Sequence, residues 1–318
     1  MPDLTFEVQQ NQRLDTLLSK LLKLSRADAI KLLKTDTVKL NKIPLTHKAK
    51  GKIILAGQTI TIKDYAPEQQ LVANPNIKLT YLQKNLDFVV VNKPAGMAVH
   101  PLDPSQTDTV LNAVYADYPQ ILNVGTEGHL RSGVVHRLDV PTTGCLIFAL
   151  NNHAYQHLRI AFKTHQTFKS YTALLQGNYQ QKMSLKLQLA VTRKRNPAKV
   201  SVIPFDTHPL PSGTCICTLD LAVHQHYPEE RATLVQVTLG TGYLHQIRAM
   251  MAHTGHPLIG DPLYNTLDPI QPLKDFTHLP LCLHAQTLEI QVPQLRKNVN
   301  ADAPLPEAFT DILTRLNQ

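Results

Sequence analysis

No stretch of this sequence approaches the roughly 18 apolar residues that a membrane span requires, and its start, MPDLTFEVQQ, lacks the apolar core of a signal peptide. A cytosolic location is therefore expected. Only four cysteines occur in 318 residues, Cys145, Cys215, Cys217 and Cys282, too few for a disulfide framework, so reduced thiols are expected. Neither GxGxxG nor GxxxxGK occurs, which removes the usual sequence signs of dinucleotide and nucleotide binding. The absence of a GxSxG elbow leaves Ser/His/Asp hydrolase chemistry without an anchor. Cys215-x-Cys217 and His224-x-His226 place like side chains on one face of an extended chain, but the spacing is unlike common zinc pairs, and alternate residues of any strand share a face. No metal is expected. Internal repeats and low-complexity tracts are missing too.

What is present is an ordinary globular composition, 43% hydrophobic and 18% charged, in a chain long enough for two folded units. The formal charge is +8, and residues 1–64 hold twelve Lys or Arg against six Asp or Glu, so this short segment supplies +6 of it. A small basic module beside a nearly neutral body suggests a polyanion handle joined to a separate working unit; a solvated charged face is the bland alternative.

Within the basic segment, Leu14, Leu17, Leu18, Leu21 and Leu22 recur at helical spacing and predict a helix over about 13–24. Ser25 and Asp28 have the spacing of a capping box for a second helix with Ile30 and Leu33 inward and Lys31 and Lys34 outward. Short strands follow at Thr37–Leu40, Ile53–Leu55 and Gln58–Ile62. Over about residues 12–63, Arg13-Leu14-Asp15, Ser25-Arg26, Val38, Asn41 and Gly57 resemble the alpha-L RNA-binding motif. The chain departs from that motif where Asp36-Thr37 and Lys42 stand in place of usual glycines. The resemblance implies RNA contacts through Arg13, Arg26, Lys31 and Lys34.

Asp64–Lys78, with Pro67, Pro75 and little periodic apolar content, reads as a linker, so the expected organisation is 1–64, a linker over 65–78, and a second domain over 79–318. In that domain strands are expected at Phe88–Val91, Leu146–Leu150, Tyr171–Leu175, Cys215–Val223 and Thr233–Leu239. Helices are expected after Asp108, at His153–Lys163 and at His245–His253, with a short one after Pro304.

Gly133-Val134-Val135-His136-Arg137-Leu138-Asp139 runs from apolar to polar and is followed by Thr142-Thr143-Gly144 and a second apolar run, implying a loop between two strands. Such loops display catalytic side chains on a rigid sheet. Read from these residues alone, a structural ion pair is the stronger account of the carboxylate. HRLD followed by TTG and an apolar strand, however, looks like the active-site signature of the RluA-type pseudouridine synthases. Val91–Pro101, with NKPAG, is similar to that family's first motif, and Lys169-Ser170-Tyr171 with Gly177 to its tyrosine motif. His245-Gln246-Ile247-Arg248, His256–Tyr264 and Leu283-His284-Ala285 complete an ordered series spanning about residues 80–293. Tyr243-Leu244 stand where relatives usually have an arginine and a small hydroxyl residue, and Val140-Pro141 replace a usual charged pair.

The resemblance implies an α+β protein: the small alpha-L module plus a catalytic domain with a mixed, largely antiparallel sheet and a central cleft. It implies an enzyme that turns uridine into pseudouridine in RNA, breaking the N1–C1′ bond, turning the base over and joining C5 to C1′. No atoms are gained or lost and no redox change occurs, so no cofactor is expected. By resemblance, Asp139 is the catalytic carboxylate at C1′, Arg248 lies against it and favours its charged form, and Tyr171 stacks on the uracil and helps remove the C5 proton. The nucleotide must be everted to reach the site; Arg137 would fill the vacated space or hold a phosphate, while His136 fixes the loop and belongs with Arg137 to the RNA-contacting set. Relatives with the N-terminal module usually act on large-subunit ribosomal RNA, which is therefore the expected partner of a monomeric enzyme; transfer RNA is the alternative substrate. A non-catalytic RNA-binding or ribosome-assembly factor of the same fold is the competing reading.

Overall fold

The computed structural model describes residues 3–22, 24, 26–35, 37–63, 71–126, 128–181, 183–193, 198–268, 270, 273–275 and 279–318. Chain contacts gather into two compact units, one formed by Met1–Lys78, His100–Val134 and Leu150–Tyr155, the other by Leu79–Val99, Val135–Ala149 and Gln156–Gln318.

In the first unit the order is β1 (Leu4–Glu7), β2 (Gln12–Arg13), α1 (Leu14–Leu22), α2 (Arg26–Leu32), β3 (Val38–Leu40), β4 (Ile43–Pro44), β5 (Ile53–Ile54) and β6 (Thr59–Ile62). The leucine stripe does what its period requires: Leu14, Leu17, Leu18 and Leu22 of α1 are buried together with Leu33, Val38, Ile54, Ile60 and Ile62. Ser25, the expected cap of α2, lies outside the described residues, as do Asp36 and positions 64–70 of the expected linker. The rest of that linker is anchored. Asn74 donates its side-chain amide to the Thr107 carbonyl (2.9 Å), and the Asn112 side chain reaches the Val72 carbonyl (2.6 Å).

Two motif arginines of this unit, each about half exposed, converge on one buried carboxylate. Arg13 and Arg26 both hydrogen-bond Asp15, whose side chain is 2% exposed, at 3.1 and 2.8 Å to Oδ2. Their hydrogen bonds and charges, Arg13's first, hold the Asp15 carboxyl down to about 2 against the opposing effect of burial. The hairpin from β3 to β4 explains one departure from the alpha-L pattern. Asn41 and Lys42 both have positive φ, 49° and 73°, the two-residue turn that suits a twisted hairpin and favours Asn-Gly. Asn41 fits, its side chain accepting the Thr59 amide at 2.8 Å, whereas Lys42 bears the left-handed conformation without glycine's freedom. Replacing Lys42→Gly should therefore stabilise the protein, by about 1 kcal/mol; a thermal melt showing no rise would contradict the strain.

The second unit is built on one ten-stranded sheet. Its strands are β7 (Thr80–Lys84), β8 (Phe88–Lys93), β9 (Thr143–Ala149), β10 (Thr167–Gln176), β11 (Ser184–Arg193), β12 (Lys199–Val202), β13 (Cys215–His226), β14 (Ala232–Leu239), β15 (Leu283–Ile290) and β16 (Val299–Asp302). The path runs β12-β11-β13-β14-β10-β15-β9-β8-β7, with β16 pairing β15. Every pairing is antiparallel except β9 with β15, where Thr143 and Gly144 face His284 and Ala285. The sheet is thus mixed and largely antiparallel, in an α+β chain. Helices α3 (Val110–Asp117), α4 (Asn152–Lys163), α5 (Gln246–His253) and α6 (Glu307–Leu316) match the four helical expectations beyond the linker.

The one parallel contact explains two motif residues. Gly144 has φ +109°, and a Cβ there would overlap the Ala285 carbonyl oxygen, so only glycine lets β9 approach β15. Thr143 Oγ1 lies 2.7 Å from His284 Nδ1, and His284 Nε2 lies 3.0 Å from the Ala303 carbonyl. Because a carbonyl can only accept, Nε2 carries the proton and the threonine hydroxyl donates to Nδ1. The LHA segment is therefore a buried strut.

Candidate active site

Asp139 ends a loop whose approach is not a strand. Residues 135–139 have no regular structure; the sequence expectation of strands on both sides is met only by β9. The β9–β15 ladder stops after Gly144, and the Ile147 amide is taken by His136, Nε2 accepting at 3.1 Å. The His136 ring also stacks on Phe162 at 4.4 Å. Burial, and then the nearby charge of Lys169, push this imidazole down to about 3, so it is neutral. His136 is engaged inside the protein, consistent with loop fixing. Arg137 is exposed, and Leu138 packs against the core cluster that includes Tyr171 and Ile247. Such alternation aims Arg137 out, Leu138 in, and Asp139 toward α5.

Beyond Asp139 the backbone is clamped. The Val140 carbonyl accepts from the Lys93 ammonium (2.9 Å) and from the Gly96 amide (3.0 Å), and the Thr142 amide closes a turn onto the Asp139 carbonyl (3.1 Å). Lys93 is fully buried, and its other bonds go to the carbonyls of Pro94 (2.8 Å) and Met97 (2.7 Å). Three carbonyls satisfy the three N–H bonds of an ammonium. Only the carbonyl of Val140 is used, so the Val140-Pro141 departure leaves this anchor in place.

The opposite wall is α5. Arg248 is 5% exposed at its side chain, and its guanidinium grips Asp261 with two bonds, Nε and Nη2 each at 2.8 Å, while Nη1 reaches Asp139 Oδ2 at 3.0 Å. Burial works against the Arg248 charge, but Asp261 and Asp139 more than restore it. Asp261 has no exposed side-chain surface and also accepts the amides of Leu263 (2.9 Å) and Tyr264 (3.1 Å). His245, in a left-handed conformation at φ 50°, places Nε2 3.8 Å from Asp139 Oδ2 and Nδ1 3.0 Å from the Tyr264 hydroxyl. Gln246 orders the preceding turn, donating to the Thr218 carbonyl (2.9 Å) and accepting from Thr241 (2.9 Å) and the Tyr243 amide (3.1 Å). Tyr243 donates its hydroxyl to the Gly213 carbonyl at 2.6 Å. Where relatives have an arginine, this chain thus has a tie to a neighbouring loop.

Tyr171 lies on β10 with only 9% of its surface exposed. Opposite it the register slips: Ser170 faces Thr287 but Tyr171 faces Ala285, so Gln286 is an extra residue bulged out of β15. Bulges re-aim side chains next to sites. Burial first, then the charges of Asp139 and Cys145, push the Tyr171 phenol above its ordinary value. The structure thus brings Asp139 and Arg248 into contact and sets Tyr171 within reach of the Asp139 charge. Arg13, Arg26, Lys31 and Lys34 belong to the other unit and are described there. Sequence reading did not single out Lys93, His245, Gln246 or Asp261; all lie in the quoted motifs, which was the available signal. Among the described residues no group of three His, Cys, Asp or Glu is arranged to hold a metal, and no helix is long and apolar enough to cross a membrane.

A loop-borne carboxylate fixed on one oxygen by a buried arginine, with a buried tyrosine within reach of its charge, is an arrangement suited to chemistry on a bound substrate. The profile of the RNA pseudouridylate synthase family matches residues 87–253. Across 96% of its length the chain is 31% identical to the ribosomal large subunit pseudouridine synthase D of Haemophilus ducreyi, covering 90% of that protein. It is 30% identical to an uncharacterized RNA pseudouridine synthase of Synechocystis, covering 96% of this chain and 89% of the other. In fold, human RNA pseudouridylate synthase domain containing 4 matches with a TM-score of 0.55 at 22% identity, over 74% of this chain and 92% of that one. The chain belongs to the RNA pseudouridylate synthase family, isomerases that convert uridine to pseudouridine in RNA.

Lys93 sets a pH dependence. Burial pushes its amine down to about 7, partly countered by Asp139. Its folded value lies below that of a free lysine, so the stability penalty of the buried charge is full below pH 7 and is relieved as pH rises from about 7 toward the free value of roughly 10.5. Activity should run the other way, because loss of the third N–H slackens the loop behind Asp139. A pH–rate profile should fall above about 7, and Lys93→Met should flatten that limb at a rate lower by about tenfold. An unchanged basic limb in the variant would refute the clamp.

Proposed function

We propose that this enzyme isomerises uridines of large-subunit ribosomal RNA, with Asp139 acting on the sugar of a nucleotide everted into a central cleft. The observation that carries the reading is the asymmetry of the Asp139 carboxylate. Oδ2 is held by Arg248 Nη1 at 3.0 Å, while Oδ1 accepts no hydrogen bond from any described residue. A carboxylate oriented through one oxygen and open at the other can attack C1′, stabilise an oxocarbenium-like transition state or remove a sugar proton. The N1–C1′ bond breaks, the uracil turns, and the C5–C1′ bond forms; the C5 proton then leaves.

Tyr171 enters this sequence as a neutral phenol, since burial and Asp139 disfavour the phenolate. Its ring supplies the stacking face, and any part in removing the C5 proton requires the hydroxyl to pass its own proton onward. Arg137, exposed two residues before Asp139, is placed to fill the gap left by the everted base or to hold a phosphate. The ribosomal substrate is carried by the relatives' names, large subunit pseudouridine synthase D. The basic N-terminal unit, with Arg13, Arg26, Lys31 and Lys34, supports it as an alpha-L-type RNA-binding module.

On ribosomal RNA labelled with tritium at uridine C5, Asp139→Asn should cut label release by at least about a hundredfold while leaving RNA binding in place. Release at the wild-type rate would remove Asp139 from the chemistry; no release even from the wild type would favour a binding factor, and release only from transfer RNA would change the substrate. Replacing Lys31→Gln and Lys34→Gln together should make the salt dependence of RNA affinity shallower, the log–log slope dropping by about 1–2. An identical slope would separate these lysines from the RNA backbone.

A further inference from the structure

Lys169 is a buried cation to which neither the fold nor the reaction described above gives a task. It is 9% exposed. Among the described residues no carboxylate pairs with it and no acceptor takes a hydrogen bond from it, and burial alone lowers its amine from the ordinary value. The contrast with Lys93, which spends three N–H bonds on three carbonyls, is direct. An ammonium largely withdrawn from water with no partner inside the protein is costly, and one that keeps an opening to solvent can take its partner from a ligand.

Its position says where that partner comes from. β10 runs in regular register with β14, Ser170 against Thr238 and Tyr171 against Val237, so Lys169 and Tyr171 lie two residues apart on the same face, roughly 7 Å along the strand. Lys169 is close enough to the Asp139 loop for its charge to depress His136. On its other side is the turn leading into α5, where a Cβ added to Gly242 would come within 3.4 Å of Lys169 Nζ. The lysine therefore sits two residues from the tyrosine, near the loop that carries Asp139 and against the turn that carries Gly242. Glycine at 242 keeps a side chain off the ammonium.

We infer that Lys169 is an anion subsite of the active site, taking a backbone phosphate that flanks the everted uridine. This rests on the pseudouridine synthase reading of the site given above. A uracil stacked on Tyr171 with its sugar at Asp139 carries its flanking phosphates two or three bonds beyond the ribose ring, several ångströms from the base, which is the scale of the step from Tyr171 to Lys169. The subsite would place the nucleotide; it takes no part in bond breaking.

The test is a double cycle between protein and RNA. Short RNA substrates are made with a neutral methylphosphonate in place of the phosphate 5′ or 3′ to the target uridine, and kcat/KM is measured for wild type, Lys169→Met and Lys169→Arg. One of the two modified RNAs should lose about tenfold to a hundredfold with the wild type, the scale of one charged hydrogen bond. Lys169→Met should show that loss on native RNA and no further loss on the modified one, whereas Lys169→Arg should keep the sensitivity. Lys169→Met should also melt no lower than wild type, because it removes an uncompensated buried charge. Additive losses at both phosphates, or native kcat/KM in Lys169→Met, would overturn the subsite. If Lys169→Met melts well below wild type, its charge is structural and the inference also fails. Asp139→Asn is run alongside: label release by that variant would undo the reading of the site itself, an outcome separable from any result at Lys169.

Discussion

Arg248 divides one guanidinium between two carboxylates with different tasks. Two of its N–H groups are locked on Asp261, which has no exposed side-chain surface, and one remains for Asp139. The bidentate bond fixes the plane of the guanidinium, so the direction of the third N–H is settled before any substrate arrives. A buried arginine with only the more exposed carboxylate as partner would be under-compensated; with Asp261 in place its charge is balanced inside the protein. Asp139 is then oriented by a single bond, leaving an oxygen open. Tyr264, under the guanidinium at 5.2 Å, and the Asp261 bonds to the Leu263 and Tyr264 amides tie this arrangement to the loop after Gly260.

Most motif residues serve that arrangement at one remove. Lys93 and Gly96 hold the carbonyl of Val140, Gln246 ties the turn before α5 to β13, and Gly144 admits β15 close enough for the Thr143–His284–Ala303 strut to form. At the two places where the chain departs from the pattern the contacts reach backbone atoms, the Val140 carbonyl and the Tyr243 amide, which any side chain there supplies. The departures at Val140-Pro141 and Tyr243-Leu244 therefore leave the placing of Asp139 intact, since the contacts that place it do not use those side chains.

How much of this was legible in the sequence follows the same division. Period 3.6 revealed α1, α4 and α5, and apolar runs revealed β8, β9, β10, β13 and β14. β15 was missed as a strand because it is buried along most of its length and carries His284 and Gln286, giving no clean alternation. β11, whose Leu185, Leu187 and Leu189 alternate with polar residues, carries a strand pattern that the sequence does display. The partners of Asp139 were legible only as members of ordered motifs. Nothing in the sequence shows that Asp261 reaches Arg248 thirteen residues away, or that His136 turns inward to cap Ile147. Such contacts depend on where the sheet brings distant loops.

The distribution of charge follows from pairing as much as from counting. The N-terminal segment carries +6, yet Arg13 and Arg26 share Asp15, so part of their field is spent within the unit although their guanidinium groups stay about half exposed. Exposed lysines there remain available to a polyanion at the modest strength of solvated charges. In the rest of the chain, residues 65–318, which carries the remaining +2, the arrangement is the opposite. Arg248 and Lys93 are buried and consumed by specific partners, and Lys169 is buried and unconsumed. A desolvated, unpaired cation attracts a phosphate far more strongly than a solvated one does, because little water remains to be displaced and little screens the field. On the proposed reading, long-range attraction to RNA and the fixing of one nucleotide are separate electrostatic tasks, met by different lysines at different depths.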